Sequence, residues 1–438
     1  MDNYRQLLAQ FVQLRSISTD PQYHKEIVKT TEWLKKLFQE NNFEVEIIEG
    51  YENPVVFAQY ITDKGYESVL VYGHYDVQPA TVEDGWDSDP FELTERDGKL
   101  FARGVVDNKG QILAHISSVI DLIESGELKY NVKFLIEGNE ETGGSGVGQL
   151  LKDQQEKLSA DHIVISDGEL PYKPVITASF RGTFNLTVKY KTAAMNLHSG
   201  LYGGNVPNAA QELAKLIASL YDEQYKSTIQ HLYDGQDEMS DSDLGNCKVM
   251  DKEKEASIKH AGVKKIFGGE HDSFSANLGF TTMYTVSGFK SGYTGEGYSN
   301  IVPSQAEARI NFRVAASQNP QDVYYRFEKF VKENTPEYVD WEIVNLTEFT
   351  KPVRVDLTSP KHVEVNELLS EVYGEEVLVD YCGATIPVVV DFKEELGVDP
   401  LLISLGNDDC NMHGPNENFD LGLVEKALHF SKRFFSKN

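Results

Sequence analysis

Short apolar runs separated by helix-length amphipathic segments constrain this chain more than any other feature. VLVYGH, VKFLIE, HIVIS and LLISL read as buried strands, and GQILAHISSVIDLIESG, between the first two, reads as a helix packed on their sheet. Strand and helix in alternation predict an α/β layer fold. Each run ends in a turn bearing groups that can hold a metal or move a proton. His74 and Asp76 follow the first run, Glu140 and Glu141 the second, Asp167 the third and His413 the last. Because open α/β sheets bind ligands at the C-terminal ends of their strands, these distant segments are predicted to meet at one site.

The chain has 438 residues, 40% of them hydrophobic, which is more than one ordinary domain needs. Two helices (the second from His24 to Asn41) and the strands FEVEII and VVFAQY precede the first buried run. From Thr177 the pattern changes. SFRGTFNLTVKY, NAAQELAKLIASLYD, TTMYTVSGF, AEARINFRV, a helix opened by Asn319-Pro320-Gln321-Asp322, and VDWEIVNL follow the order β-α-β-β-α-β of a split βαβ sandwich. Residues 1–177 and 356–438 are therefore expected to form one domain, and 178–355 an α+β domain inserted into it. A polar stretch from Asp222 to about Phe280 breaks the periodicity and fits no element of this plan.

A formal charge of −28 without a long basic stretch argues against nucleic acid and anionic membranes as partners. No apolar run is long enough to span a bilayer, and MDNYRQLLAQFVQLRSIS lacks the basic start and apolar core of a secretion signal. Cys247, Cys382 and Cys410 are far apart and form no CxxC pattern, so neither a disulfide framework nor a thiolate zinc site is expected, and a reducing cytoplasm fits.

Two histidines with several carboxylates and no thiolate suit zinc, with manganese or cobalt as alternatives, and the spare carboxylate suggests two ions sharing a bridge. Asp107, in ARGVVDNKG between Gly104 and Gly110, is the natural bridge, since a carboxylate can hold two cations and offset their repulsion. Of the adjacent acids in EGNEETGGSG, Glu141 is expected to be a ligand and Glu140 the general base. Asp167 would complete the shell of one ion and His413 that of the other. Asp76 is expected to orient His74 through its second ring nitrogen.

GHYDVQP, ARGVVDNKG, EGNEETGG, ISDG and NMHGPNE together resemble the co-catalytic di-metal peptidases of metallopeptidase family twenty. That family includes carnosinase-type and cytosolic non-specific dipeptidases, desuccinylases and aminoacylases. The resemblance implies His74, Asp107 and Asp167 on one ion and Asp107, Glu141 and His413 on the other, with Glu140 as base and Asp76 behind His74. Asn108 stands where many members have a second aspartate. NLHSGLYGG resembles a lid segment of the dipeptidase branch, which implies that His198 reaches across a dimer interface and stabilises an oxyanion. Arg313 in RINFRV matches an arginine that clamps a substrate carboxylate. Asn300 in SNIVP, and Gly383 and Thr385 in GATIP, resemble further substrate-contacting positions. The expectation is a cytoplasmic homodimer, paired through its lid domain, with two divalent ions per subunit. It would cleave dipeptides or short peptides that carry a free C-terminal carboxylate. A deacylase or desuccinylase on the same metal core, and a non-catalytic metal-binding protein, are the alternatives.

Overall fold

The computed structural model describes residues 1–267 and 270–436. It comprises two compact units, Met1–Ala178 with Val355–Val379 and Pro387–Asn438, and Ser179–Arg354 with Asp380–Ile386.

The first unit is built on a mixed sheet. Its strands run in the spatial order Glu44–Ile48, Val55–Tyr60, Asn131–Glu137, Ser68–His74, His162–Ile165, Leu401–Ser404 and Val175–Phe180. Ser68–His74 is parallel to both of its neighbours, and Leu401–Ser404 is parallel to His162–Ile165. Four C-terminal strand ends therefore open on one edge. From Val69 to His74 every residue is buried, as a central strand covered on both faces requires. Helix Lys109–Ser125 is buried continuously from Lys109 to Ile120. Its start packs tightly against the preceding turn. A Cβ on Gly110 would lie 1.8 Å from the Val105 carbonyl oxygen, so only glycine fits there. Lys109 reaches back from this helix to the last turn of helix Asp2–Gln13, donating from Nζ to the carbonyls of Phe11 at 3.0 Å and Leu14 at 2.6 Å. The peptide bond Asp107-Asn108 is cis.

The second unit carries a four-stranded antiparallel sheet in the order Met283–Ser291, Gln305–Val314, Gly182–Lys191, Asp340–Val344. Alternate residues of its two central strands, among them Phe184, Leu186, Val188, Ile310 and Phe312, form a core with helices Ala209–Ala218 and Pro320–Asn334. Phe184 stacks on Phe312 with ring centroids 4.5 Å apart. Asn208 and Asn319 cap the two helices with their side chains, and Pro320 occupies the first turn of the second.

Two features differ from the sequence reading. The polar stretch 222–280 holds two helices, Asp241–His260 and Phe274–Phe280. Charges spread around the first of them, with Cys247 and Met250 among its few buried apolar residues, mask its helical period. Asp380–Ile386 belongs to the second unit rather than to the domain expected over 356–438. Polar contacts hold it there: Lys254 Nζ meets Asp380 Oδ1 at 2.8 Å, and Arg313 donates to Thr385 Oγ1 at 2.8 Å.

Candidate active site

At the end of its strand His74 is fully buried, with Nε2 3.0 Å from Asp107 Oδ1 and 3.6 Å from Asp167 Oδ2. Its Nδ1 lies 3.0 Å from the main-chain oxygen of Asp76 and 3.3 Å from Asp76 Oδ1. Nδ1 can donate to the Asp76 main-chain oxygen, which turns Nε2 toward the carboxylates. His413 presents Nε2 2.9 Å from Asp107 Oδ2 and 3.1 Å from Glu141 Oε2. Two groups of potential metal donors result, His74 with Asp107 and Asp167, and Asp107 with Glu141 and His413, each with its donor atoms within 4.8 Å of one another. Asp107 belongs to both and turns one oxygen toward each imidazole.

The loops that place these groups are held by polar side chains that motif reading passes over. Glu417 is completely buried. Its Oε1 accepts from the main-chain N–H groups of Val106 and Asp107 at 3.0 and 3.1 Å, and its Oε2 from Gly104 N–H at 3.0 Å and Arg103 Nη1 at 2.7 Å. Arg103 also donates from Nη2 to the carbonyls of His413 at 3.1 Å and Gly414 at 3.3 Å, so one ion pair fixes both the Asp107 turn and the His413 loop. Asn108, at the start of helix Lys109–Ser125, links two strand ends: it donates to the Ser166 carbonyl at 2.6 Å and to Asp167 Oδ1 at 3.1 Å, and accepts from the His74 N–H at 3.4 Å. Gln78 donates to Glu141 Oε2 at 2.8 Å, and Asp76 Oδ2 accepts the Glu141 N–H at 3.2 Å. The signal that could have exposed Glu417 is an acid four residues beyond His413 with no strand or helix face to explain it.

Burial alone would raise the Asp107 carboxyl, but hydrogen bonds with His413 and His74 hold it well below the usual range. Burial would lower His74, yet the Asp167 charge and hydrogen bonds to Asp107, Asp167 and Asp76 push it well above its ordinary value. Hydrogen bonds to Asp107 and Glu141 raise His413 to about 10. Glu140, half-buried beside these acids, is raised to about 8 by burial, with Asp167, Asp107 and Glu141 adding and His74 opposing. Among the described residues no lysine or arginine lies within 4.0 Å of the Asp107, Asp167 or Glu141 carboxylates, so imidazoles alone balance them. A cation fits such a donor set. Ligand atoms about 2.0–2.2 Å from a tetrahedral Zn²⁺ stand about 3.3 Å apart, and the imidazole-to-carboxylate separations here run from 2.9 to 3.6 Å, with every donor atom of a group within 4.8 Å of the others.

The remaining sequence candidates lie in the second unit. His198 is exposed, its Nδ1 accepting from Gly200 N–H at 3.0 Å, and it pairs with Ile301 across a short antiparallel ladder. Asn300, next to Ile301, accepts the Ser199 N–H through its main-chain oxygen at 3.0 Å, which brings it beside His198. Arg313, on strand Gln305–Val314, meets Thr385, and Gly383 lies two residues before that contact.

The model of peptidase family M20/M25/M40 matches residues 70–437. A cysteinylglycine-S-conjugate dipeptidase from Corynebacterium striatum is 31% identical over 368 residues, covering 82% of this chain and 78% of that protein. Human β-Ala-His dipeptidase is 28% identical over 84% of this chain and 74% of its own length. Among solved structures, an M20 family metallo-carboxypeptidase from Sulfolobus solfataricus superimposes with a TM-score of 0.85 at 29% identity, covering 99% of each chain.

Proposed function

The chain belongs to peptidase family M20/M25/M40 and is a metallopeptidase, and from that premise we propose that it hydrolyses dipeptides or short peptides with a free C-terminal carboxylate. One observation carries the reading: the two oxygens of Asp107 face different imidazoles at 3.0 and 2.9 Å, which suits a carboxylate bridging two cations. His74, Asp107 and Asp167 would hold one ion, and Asp107, Glu141 and His413 the other. Zinc is assigned first, with manganese and cobalt as the alternatives. Two bound divalent ions would polarise the scissile carbonyl and acidify a water. Glu140 takes the proton of that attacking water on its carboxylate and passes it to the leaving amine nitrogen. Asp76 keeps His74 in one tautomer, Arg313 clamps the substrate carboxylate, and Asn300, Gly383 and Thr385 flank it.

The reading extends to a cytoplasmic homodimer in which His198 of one subunit stabilises the oxyanion in the other. Met283–Ser291 is an edge strand, and Met195, Leu201, Tyr202, Phe289 and Tyr293 are exposed apolar groups on the same unit, which supports pairing through it. Three free cysteines support a reducing compartment. No helix of the described residues is long and apolar enough to cross a membrane.

The test is hydrolysis of a dipeptide panel beside N-acetyl and N-succinyl amino acids, with the protein reconstituted separately with zinc, manganese and cobalt. Turnover of free dipeptides supports the reading and identifies the working ion. Turnover confined to acylated amino acids replaces it with a deacylase or desuccinylase on the same core. No turnover of either class replaces it with a metal-binding protein.

A further inference from the structure

Arg181 and Arg313 place two guanidinium groups beside one turn of the second unit. Arg313 is half-buried and donates from Nη1 to Thr385 Oγ1 at 2.8 Å. Arg181 is only 4% exposed and wraps the same turn. Its main-chain N–H donates to the Ala384 carbonyl at 3.0 Å, its carbonyl accepts from Thr385 Oγ1 at 2.6 Å, and its Nε donates to the Gly383 carbonyl at 2.9 Å. A Cβ on Gly383 would fall 2.8 Å from Arg181 Nη2, so glycine lets the guanidinium lie flat against the turn. Among the described residues neither arginine has a carboxylate within 4.0 Å, although the chain carries 69 acids against 41 lysines and arginines.

Buried charges are normally paired, because burial without a partner costs several kcal/mol. Here burial and the neighbouring Arg313 together push Arg181 down to about 10. Two like charges held together at a turn, one of them out of water, form a place where an anion lowers the energy of both. We propose that Arg181 is the second cation of a carboxylate subsite, shaping the Gly383–Thr385 turn beside Arg313 and adding a buried positive charge that favours a ligand's free carboxylate. This rests on the reading of Arg313 as the clamp for the substrate's C-terminal carboxylate. Arg181 is a positioning residue, acting through the turn and through a field that low surrounding polarity leaves poorly screened.

The experiment compares Ala-Gly with Ala-Gly amide, in turnover by the metal-loaded enzyme and in equilibrium titration of the metal-depleted protein. Wild type, R181M, R181K and R313M are measured. R181M is expected to lower the preference for acid over amide about 10-fold, the scale of one charge-assisted interaction, mainly through KM, with R181K restoring most of it. R313M should retain part of the preference, because Arg181 remains. Equal losses for acid and amide in R181M would reduce Arg181 to turn structure and overturn the proposal. Where R181M does not fold, R313M decides: a preference abolished outright leaves Arg313 as the sole cation. Absence of any dipeptide turnover by wild type would overturn the peptidase reading instead, while the titration still measures the acid-to-amide preference.

Discussion

Glu417→Gln is the substitution whose effect follows most directly from the geometry. The carboxylate serves four donors, two on each oxygen, in complete burial. Glutamine keeps the shape but turns one acceptor into an NH₂ group that only donates. If Oε1 is replaced, the Val106 and Asp107 N–H groups lose their acceptor, and if Oε2 is replaced, Gly104 N–H and Arg103 do. In either orientation the buried Arg103 charge loses its counter-ion. Hydrogen bonds to a charged group are each worth about 1.5–3 kcal/mol, and breaking a buried pair from one side costs about 3–5 kcal/mol. These terms describe the same loss, so the total stays at about 3–5 kcal/mol and, for a chain of this length, Tm falls by about 3–5 °C. Because the Asp107 turn and the His413 loop share this anchor, zinc affinity should also fall about 10- to 100-fold. Urea unfolding followed by circular dichroism measures the first effect and calorimetric zinc titration the second. Stability within about 1 kcal/mol of wild type together with unchanged zinc affinity would refute the argument.

Glu140→Gln should retain zinc binding and lose about 10²- to 10⁴-fold in kcat, and near-normal turnover would remove Glu140 as the base. His115 donates or accepts at Ser166 and Ser431 and is held neutral by burial, down to about 4 from about 6.5 in an unfolded chain. The folded state therefore binds fewer protons than the unfolded state between those values. Its stabilising contribution is complete above about pH 6.5 and falls by on the order of 3 kcal/mol as pH drops toward about 4. His115→Asn should flatten that slope in urea unfolding across the same range. Phe184→Ala removes a ring stacked in the second unit's core and should cost about 3–5 kcal/mol, read by urea unfolding. In mixed dimers pairing His198→Ala with Glu140→Gln subunits, only one site can keep both a base and a trans histidine. Activity near half of wild type supports the trans arrangement, whereas near-zero activity places His198 in its own subunit's site.

Much of the architecture was legible because its physical causes are local. The unalternating runs around Val71, Phe134 and Val164 report burial on both faces, and the alternation of Phe184, Leu186 and Val188 reports burial on one. Asn319-Pro320 marked a helix start because capping is a short-range bond. Helix Asp241–His260 was missed for the converse reason. It buries only part of a charged surface, so no apolar stripe repeats along it. The placement of Asp380–Ile386 was missed because it depends on Arg181, Arg313 and Lys254, which no local pattern couples to residues 380–386.

The same distinction separates the parts of the site. His74, Glu141 and Asp167 follow strands of one sheet, so strand prediction alone brings them to one edge, whereas Asp107 lies in the turn before helix Lys109–Ser125 and His413 in the loop after Gly406–Asn407. The structure gathers the donor atoms of all five into two groups that share Asp107. Glu417 and Arg103 hold that edge together by bonding to main-chain N–H and C=O groups, which every residue carries and no side-chain pattern reveals. Asn108 is intermediate, since its position beside Asp107 was visible but its bonds to the His74 and Ser166 main chains were not. Donors that must converge on a small cation are constrained by chemistry that side-chain type encodes, whereas the scaffold that aims them is constrained by backbone hydrogen bonding. Substitution of a scaffold residue should therefore weaken metal binding without removing any ligand, which is the outcome expected of Glu417→Gln.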